Sequence, residues 1–170
     1  MDTLVPLVFK SVLGVIIMAL VLWAGYDLLA SNAAQKAIAW QSQLTSKIKG
    51  VYTGGYSAVN YSGLTNSVAI KAGAVPDGMT TGDGTTLQGP WSDSYATIES
   101  ANNGMGFQVT WTNVRSKDCA TFVNSQSPTS VTIGGTVVNL RATDASTEVA
   151  NACNAVSGTA VTDITFEYNN

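Results

Sequence analysis

The first thirty residues constrain this chain more than any other part of it. Residues 4–30 form an almost unbroken apolar run, LVPLVFKSVLGVIIMALVLWAGYDLLA, in which only Lys10 and Asp27 carry charge. As one helix this run would be about 40 Å long at about 1.5 Å per residue, and a bilayer core is about 30 Å thick. We therefore expect the segment to lie in lipid, to be removed, or to be buried against copies of itself.

The apolar run continues into a segment with an amphipathic helical pattern. Residues 31–49 contain no proline or glycine, and Gly50 supplies the first stop signal. The apolar residues at the spacing of one helix face are Ala33, Ala37, Trp40, Leu44 and Ile48. The pattern predicts one helix over residues 1–50, apolar all round over 1–30 and amphipathic over 31–50. We expect Ala37, Trp40, Leu44 and Ile48 to pack against the rest of the chain.

The remaining residues, 51–170, are enough for one globular domain of a common size. Only 11% of the chain is charged, and its net charge is −3. Acidic residues outnumber basic ones in this part of the chain, so it has no basic patch. Nucleic-acid binding by this domain is therefore not expected.

The patterns within residues 51–170 mix short helices with strands. Alternating residues on both sides of Asn102-Asn103-Gly104 predict one hairpin, and two β-branched runs around Gly134-Gly135 predict another. Short helices are predicted over residues 64–72, 116–124 and 143–155, and a final strand over 160–168. The expected fold class is α+β, with a long N-terminal helix and an antiparallel β-sheet head over its amphipathic half.

The two cysteines, Cys119 and Cys153, stand far apart in a chain without histidine. A structural zinc site needs four ligands, so no metal site is expected from them. The favoured interpretation is a disulfide formed in an oxidising compartment, and the alternative is two buried free thiols.

No catalytic set emerges from the sequence. Because histidine is absent, nucleophiles activated by histidine are excluded for this chain alone. Asp77, Asp83 and Asp93 lack the spacing of a calcium loop. The tryptophans of the amphipathic helix and the domain are expected in the core rather than on a sugar-binding platform. We expect neither enzymatic activity nor a cofactor.

Two simpler explanations of the N-terminus compete with a permanent helix. The first is a secretory signal peptide with Lys10 in its charged region, residues 11–25 as its apolar region, and cleavage near residues 30–34. The apolar residues before Lys10, the charge of Asp27 and the continuing helical pattern argue against it. The second is a plain single-span membrane anchor.

The whole chain resembles a type IV pilin, and more specifically the type IVb kind, including the pilins of thin conjugative pili. The general features are the apolar-then-amphipathic helix, the sheet-bearing head and the late cysteine pair. The more specific ones are the segments LTNSVAIKAGAVPDGM (64–79), GMGFQVTWTNV (104–114) and KDCATFVN (117–124). The resemblance implies that Cys119 and Cys153 form a disulfide that frames the variable C-terminal region.

The resemblance also implies how such a chain is processed and assembled. A prepilin peptidase at the inner membrane would remove a short leader, leaving Met1 as a methylated N-terminus. Pilus assembly machinery would then build an extracellular homo-oligomeric helical filament with the apolar helices in its core. The core residues that this implies are Leu4, Val5, Phe9, Ile16, Leu20 and Trp23.

One departure from the family pattern concerns charge in that core. Most of the family carry glutamate at the fifth mature position, where this chain has Val5. Asp2 is close enough in sequence to neutralise an N-terminal amine, and Lys10 would need Asp2 or Asp27 of another subunit, because a buried charge requires a partner. This departure leaves a minor pilin or a secretion pseudopilin open.

The sequence therefore supports a structural subunit of a type IV pilus, serving adhesion, aggregation or conjugation. The alternative is a membrane-anchored or secreted β-rich binding module, in which the helix only tethers the head.

Overall fold

The structure is a computed structural model, which describes residues 32–53, 59–155 and 161–169. The apolar run at residues 4–30 lies outside these described residues. Contacts divide the chain into two compact units, Met1–Ala33 and Ala34–Asn170. Within the described ranges, no helix is both long enough and apolar enough to cross a membrane.

The amphipathic half of the predicted long helix is helical. This helix, α1, is described over residues 32–53 and passes Gly50 without ending. The predicted stop at Gly50 is thus wrong, because residues 51–53 are still helical. A glycine inside a helix costs only about 1 kcal/mol, and contacts beyond it offset that cost. Tyr52 lies with its ring centroid 5.0 Å from that of Tyr61.

The described residues from 59 onward, called the head below, contain three further α-helices, two 3₁₀ turns and six strands. The helices are α2 (Asn66–Lys71), α3 (Ser116–Asn124) and α4 (Ala145–Ala155). The strands are β1 (Leu87–Gln88), β2 (Tyr95–Ala101), β3 (Gly106–Arg115), β4 (Ser130–Ile133), β5 (Thr136–Val138) and β6 (Val161–Asn169). Both predicted hairpins, the helix over 116–124 and the final strand are present.

The six strands form one antiparallel sheet in the order β1-β2-β3-β6-β4-β5. The last strand, β6, therefore lies between β3 and β4 in the middle of the sheet. Local patterns cannot reveal this insertion, because it joins strands that are far apart in sequence. The α+β fold with an antiparallel head is confirmed.

One face of the sheet is apolar and covered, whereas the other is polar. Trp111 of β3 and Phe166 of β6 are fully buried on the covered face, where both rings contact Phe122 of α3. On the other face, the hydroxyls of Thr110 and Thr165 lie 2.9 Å apart across β3 and β6. This division is typical of an antiparallel sheet packed on one side only.

Candidate functional site

The residues predicted to direct assembly precede residue 32 and lie outside the described residues. They are Met1, Asp2, Leu4, Val5, Phe9, Lys10, Ile16, Leu20, Trp23 and Asp27. The structure describes the other predicted set, the residues with which α1 packs against the head.

Three of those four packing residues lie in the core. Ala37, Leu44 and Ile48 are each 0% exposed. Trp40 is only half-buried and lies at the side of the helix, against the turn at residues 77–79. A Cβ atom on Gly78 would come within 2.8 Å of the Trp40 ring, so that position requires a residue without a side chain.

Gln41 occupies the centre of the buried stripe, where the sequence pattern placed Trp40. Around the helix axis, at about 100° per residue, Gln41 lies about 20° from Ile48 and Trp40 about 80° from it. Gln41 was not among the predicted packing residues, because only residues of apolar type were selected. The angular position alone would have identified Gln41 as buried.

The Gln41 side chain joins α1 to two strands through both ends of its amide. Its oxygen accepts a hydrogen bond of 2.8 Å from the indole Nε1–H of Trp111, on β3. Its nitrogen donates a hydrogen bond of 3.0 Å to the hydroxyl of Tyr168, on β6. Gln41 and Trp111 are both 0% exposed, so this is a satisfied polar contact inside an apolar interface.

Tyr168 is the second residue of this site that the sequence pattern did not single out. Burial raises the pKa of its phenol to about 12, against a smaller lowering by the hydrogen bond from Gln41. Its ring stacks on Phe107 at 5.1 Å, and the ammonium of Lys49 lies 5.1 Å from its centroid. The alternation of Ile164 and Phe166 continues to position 168, which is the signal that predicts an inward side chain.

The tryptophans of the head belong to the core, as the sequence indicated. Trp91 is 4% exposed, and its ring contacts Trp111 edge-on at 6.2 Å. Its indole N–H donates to the buried carboxylate of Asp118 at 2.8 Å, and Arg115 lies 3.2 Å from the same carboxylate oxygen. These rings are packing residues, and they form no exposed platform.

Cys119 and Cys153 form a disulfide that joins α3 to α4. The two Cα atoms are 5.9 Å apart, and the bridge spans 34 residues of sequence. The enclosed segment contains the β4–β5 hairpin at one edge of the sheet. The alternative of two free thiols is therefore wrong.

A polar groove of about 370 Å³ lies beside α1. Its walls include Ser42, Ser46 and Lys49 of α1, and residues 125–127 after α3. Small-molecule sites are mostly apolar with a few polar groups, whereas this groove is lined mainly by hydroxyl groups. It therefore does not have the character of a ligand pocket.

The exposed aspartates of the head do not assemble into a metal centre. Among the described residues, no group of three potential metal ligands comes together. Asp83 instead accepts hydrogen bonds from its own loop. Bonds from the side chain and backbone of Thr86 and from the backbone of Thr85 hold the pKa of Asp83 well below its usual range.

Comparisons with known proteins agree with this architecture. A family model described as PilS N terminal matches residues 31–166. The fold is similar to the crystal structure of a type IV b pilin from Salmonella typhi, with a TM-score of 0.56 and 20% identity over 82% of this chain and 99% of that one. It is also similar to TcpA, a type IV pilin from Vibrio cholerae El Tor biotype, with a TM-score of 0.52 and 16% identity over 81% and 99%. No protein with a curated description matches the sequence significantly.

Proposed function

Because the chain belongs to the PilS N-terminal family and has the fold of type IV pilins, we propose that it polymerises into a type IV pilus as its structural subunit. The observation that carries this proposal is the pairing of an apolar run at residues 4–30 with a head that is packed on α1. Such a run needs either lipid or other apolar helices around it. Neighbouring subunits in a filament supply those helices.

The site supports a structural role rather than a catalytic one. The buried amide of Gln41 is satisfied by Trp111 and Tyr168 and is not directed at an open cavity. The exposed groove is polar and has no convergent apolar lining. A module that only tethers a ligand-binding head has less support, because the groove described beside α1 is polar and does not have that character.

The finer parts of the proposal concern processing and location. We infer that the subunit waits in the inner membrane, is matured by a prepilin peptidase to begin at Met1, and is then added to an extracellular fibre by pilus assembly machinery. The fibre would serve adhesion, aggregation or conjugation. The disulfide supports an oxidising location, since such bridges persist outside the cytoplasm.

Electron microscopy of material sheared from the producing cells tests the proposal. We expect thin fibres that an antibody against residues 59–169 decorates along their length. The matched control is a chain with Leu20→Lys, which places a charge in the apolar run and leaves the head unaltered. Loss of fibres in this variant supports assembly through residues 1–30. Fibres that the antibody never decorates, or a purified full-length chain that stays a single particle outside lipid, would contradict it.

A further inference from the structure

We propose that Gln41 is a positioning residue that selects one register of α1 on the sheet. Register here means which turn of α1 lies opposite Trp111 and Tyr168. The consequence for a filament rests on the proposed function, whereas the register itself is a property of α1 and the head. The buried face of α1 consists mostly of apolar residues repeated at a helical spacing. The contact of Gln41 with Trp111 and Tyr168 is a polar exception within that face.

The apolar part of the buried stripe specifies the register only weakly. A slide of α1 by four residues, about 6 Å along its axis, would place Trp40 or Ile48 at the position of Leu44. It would place Leu44 or Tyr52 at the position of Ile48, so apolar side chains would again face the head. The N-terminal part of the stripe, Ala34 and Ala37, presents only methyl groups to the head. Such a surface offers little resistance to sliding.

Gln41 breaks this repetition because two partners match its amide. In the observed register it accepts from Trp111 and donates to Tyr168. After a slide of one turn, Ala37 or Thr45 would lie opposite these partners. Alanine has no polar group, and Thr45 has a single short hydroxyl, whereas Gln41 has two separate polar ends. This hydroxyl already donates to the Gln41 carbonyl at 2.9 Å. At least one of the two buried groups would then lose its partner, which disfavours the slid state by about tenfold or more for each group lost.

The other polar contacts between α1 and the head discriminate less between registers of α1. The Lys47 ammonium donates to the Gly73 carbonyl at 3.3 Å, but this bond is exposed. Lys49 lies over the Tyr168 ring and is also exposed. Water can replace an exposed partner at little cost, whereas it cannot reach Gln41. Among the polar contacts, the discrimination between registers therefore resides in the buried amide, which adds to the close packing of Trp40 against Gly78.

The register has a consequence for assembly. Residue 32 is the first described residue of α1, and a slide of one turn moves it by about 6 Å relative to the sheet. Subunits of a helical filament must present the same geometry at each step. A population with mixed registers would build irregular fibres, even if every head were folded.

Nuclear magnetic resonance of the full-length chain in detergent micelles tests the register. The chain contains four tryptophans, so one register gives one indole N–H peak for each. Replacing Gln41 by methionine keeps an unbranched side chain of similar length and removes both hydrogen bonds. We expect Gln41→Met to show a second set of peaks for Trp40 and Trp111, and the exposed-site control Gln43→Met to retain a single set.

A second variant covers the case in which Gln41→Met fails to fold. Gln41→Leu likewise removes both hydrogen bonds and leaves an apolar side chain in the stripe. We expect a second set of peaks for Trp40 and Trp111 in this variant also. A single set of peaks in a folded Gln41→Met or Gln41→Leu chain would overturn the proposal.

These measurements do not depend on fibres. If the unaltered chain never forms fibres, the proposed function fails and the peak count still decides the register. If fibres form, we expect Gln41→Met fibres to lose the uniform axial rise of the parent fibres, and Gln43→Met fibres to keep it. Unchanged, uniform Gln41→Met fibres would overturn the link between register and assembly.

Discussion

The indole N–H of Trp111 donates a hydrogen bond of 2.8 Å to the amide oxygen of Gln41, a residue 70 positions earlier in the chain. Both side chains are fully buried. A contact of this range cannot be formed by local structure, so it exists only when α1 lies on the completed sheet. Several measurable properties depend on this junction and on the contacts around it.

The first prediction concerns the stability of the junction. Gln41→Ala leaves the Trp111 indole N–H and the Tyr168 hydroxyl without a partner and opens a cavity. We expect the free energy of unfolding to fall by about 2–4 kcal/mol, measured by denaturant titration. The matched control is Gln43→Ala, on the exposed side of the same helix, which should change it by less than about 0.5 kcal/mol. Equal losses in the free energy of unfolding for the two variants would mean that the buried amide does not stabilise the fold more than an exposed one.

The second prediction concerns the disulfide. Cys119→Ser combined with Cys153→Ser releases the link between α3 and α4 and should reduce stability by about 2–5 kcal/mol. Thermal unfolding with and without reductant provides the measurement. Reductant should lower the melting temperature of the parent chain and leave that of the double variant unchanged. A reductant effect that is the same in both chains would contradict this expectation.

The third prediction concerns alkaline pH. Burial raises the pKa of Tyr168 from 10.0 to about 12, so the folded state disfavours the phenolate. The resulting stability is fully present below pH 10 and is lost as the pH rises from about 10 through about 12, by up to about 2–3 kcal/mol. Denaturant titrations across this range should show the loss. The Tyr168→Phe chain should be less stable than the parent chain at pH 8. Its free energy of unfolding should fall less than that of the parent chain between pH 10 and 12.

The fourth prediction concerns acid. The Glu167 carboxylate accepts hydrogen bonds from Asn169 at 3.0 Å, Asn102 at 2.6 Å and Ser130 at 3.2 Å. The bond from Asn169 is the largest cause of the lowered pKa of Glu167, and those from Asn102 and Ser130 add to it. Because the folded pKa lies below the usual 4.5, this contribution is present above pH 4.5 and is lost as the pH falls below it. Glu167→Gln should flatten the stability profile in that range, as measured by thermal unfolding at successive pH values. An unaltered dependence of stability on pH in the Glu167→Gln chain would contradict a stabilising role for the hydrogen bonds to Glu167.

The fifth prediction concerns the charged residues of the apolar run. If Asp2 neutralises an N-terminal amine and Lys10 pairs with a carboxylate of another subunit, Asp2→Ala and Lys10→Ala should each reduce fibre yield. The melting temperature of the head should stay within about 1 °C, because these residues are distant in sequence from residues 59–169. Quantitative electron microscopy beside calorimetry makes the comparison. Fibre yields equal to that of the parent chain in both variants would contradict the proposed charge pairing of Asp2 and Lys10.

Much of the fold could be predicted from sequence because it is encoded locally. The Gly134-Gly135 turn between two β-branched runs marked the β4–β5 hairpin, and the pattern of residues 116–124 matched α3. The predicted stop at Gly50 was less accurate, since Tyr52 gains a contact with Tyr61 that the local sequence does not reveal. Local signals describe the cost of ending or continuing a helix, but not the distant contacts that offset it.

The candidate site was predicted only in part, and for a related reason. Ala37, Leu44 and Ile48 were found because apolar residues at a helical period must leave water. Gln41 was missed because a buried amide is favourable only where partners satisfy it, and Trp111 and Tyr168 meet it from two different strands.

The sequence by itself determined the apolar run, the amphipathic helix and the alternating strands, because hydrophobic periodicity is a property of neighbouring residues. Only the tertiary structure decided that β6 enters the middle of the sheet and that a glutamine lies in the core, because hydrogen bonds between distant elements exist only after the chain has brought them together.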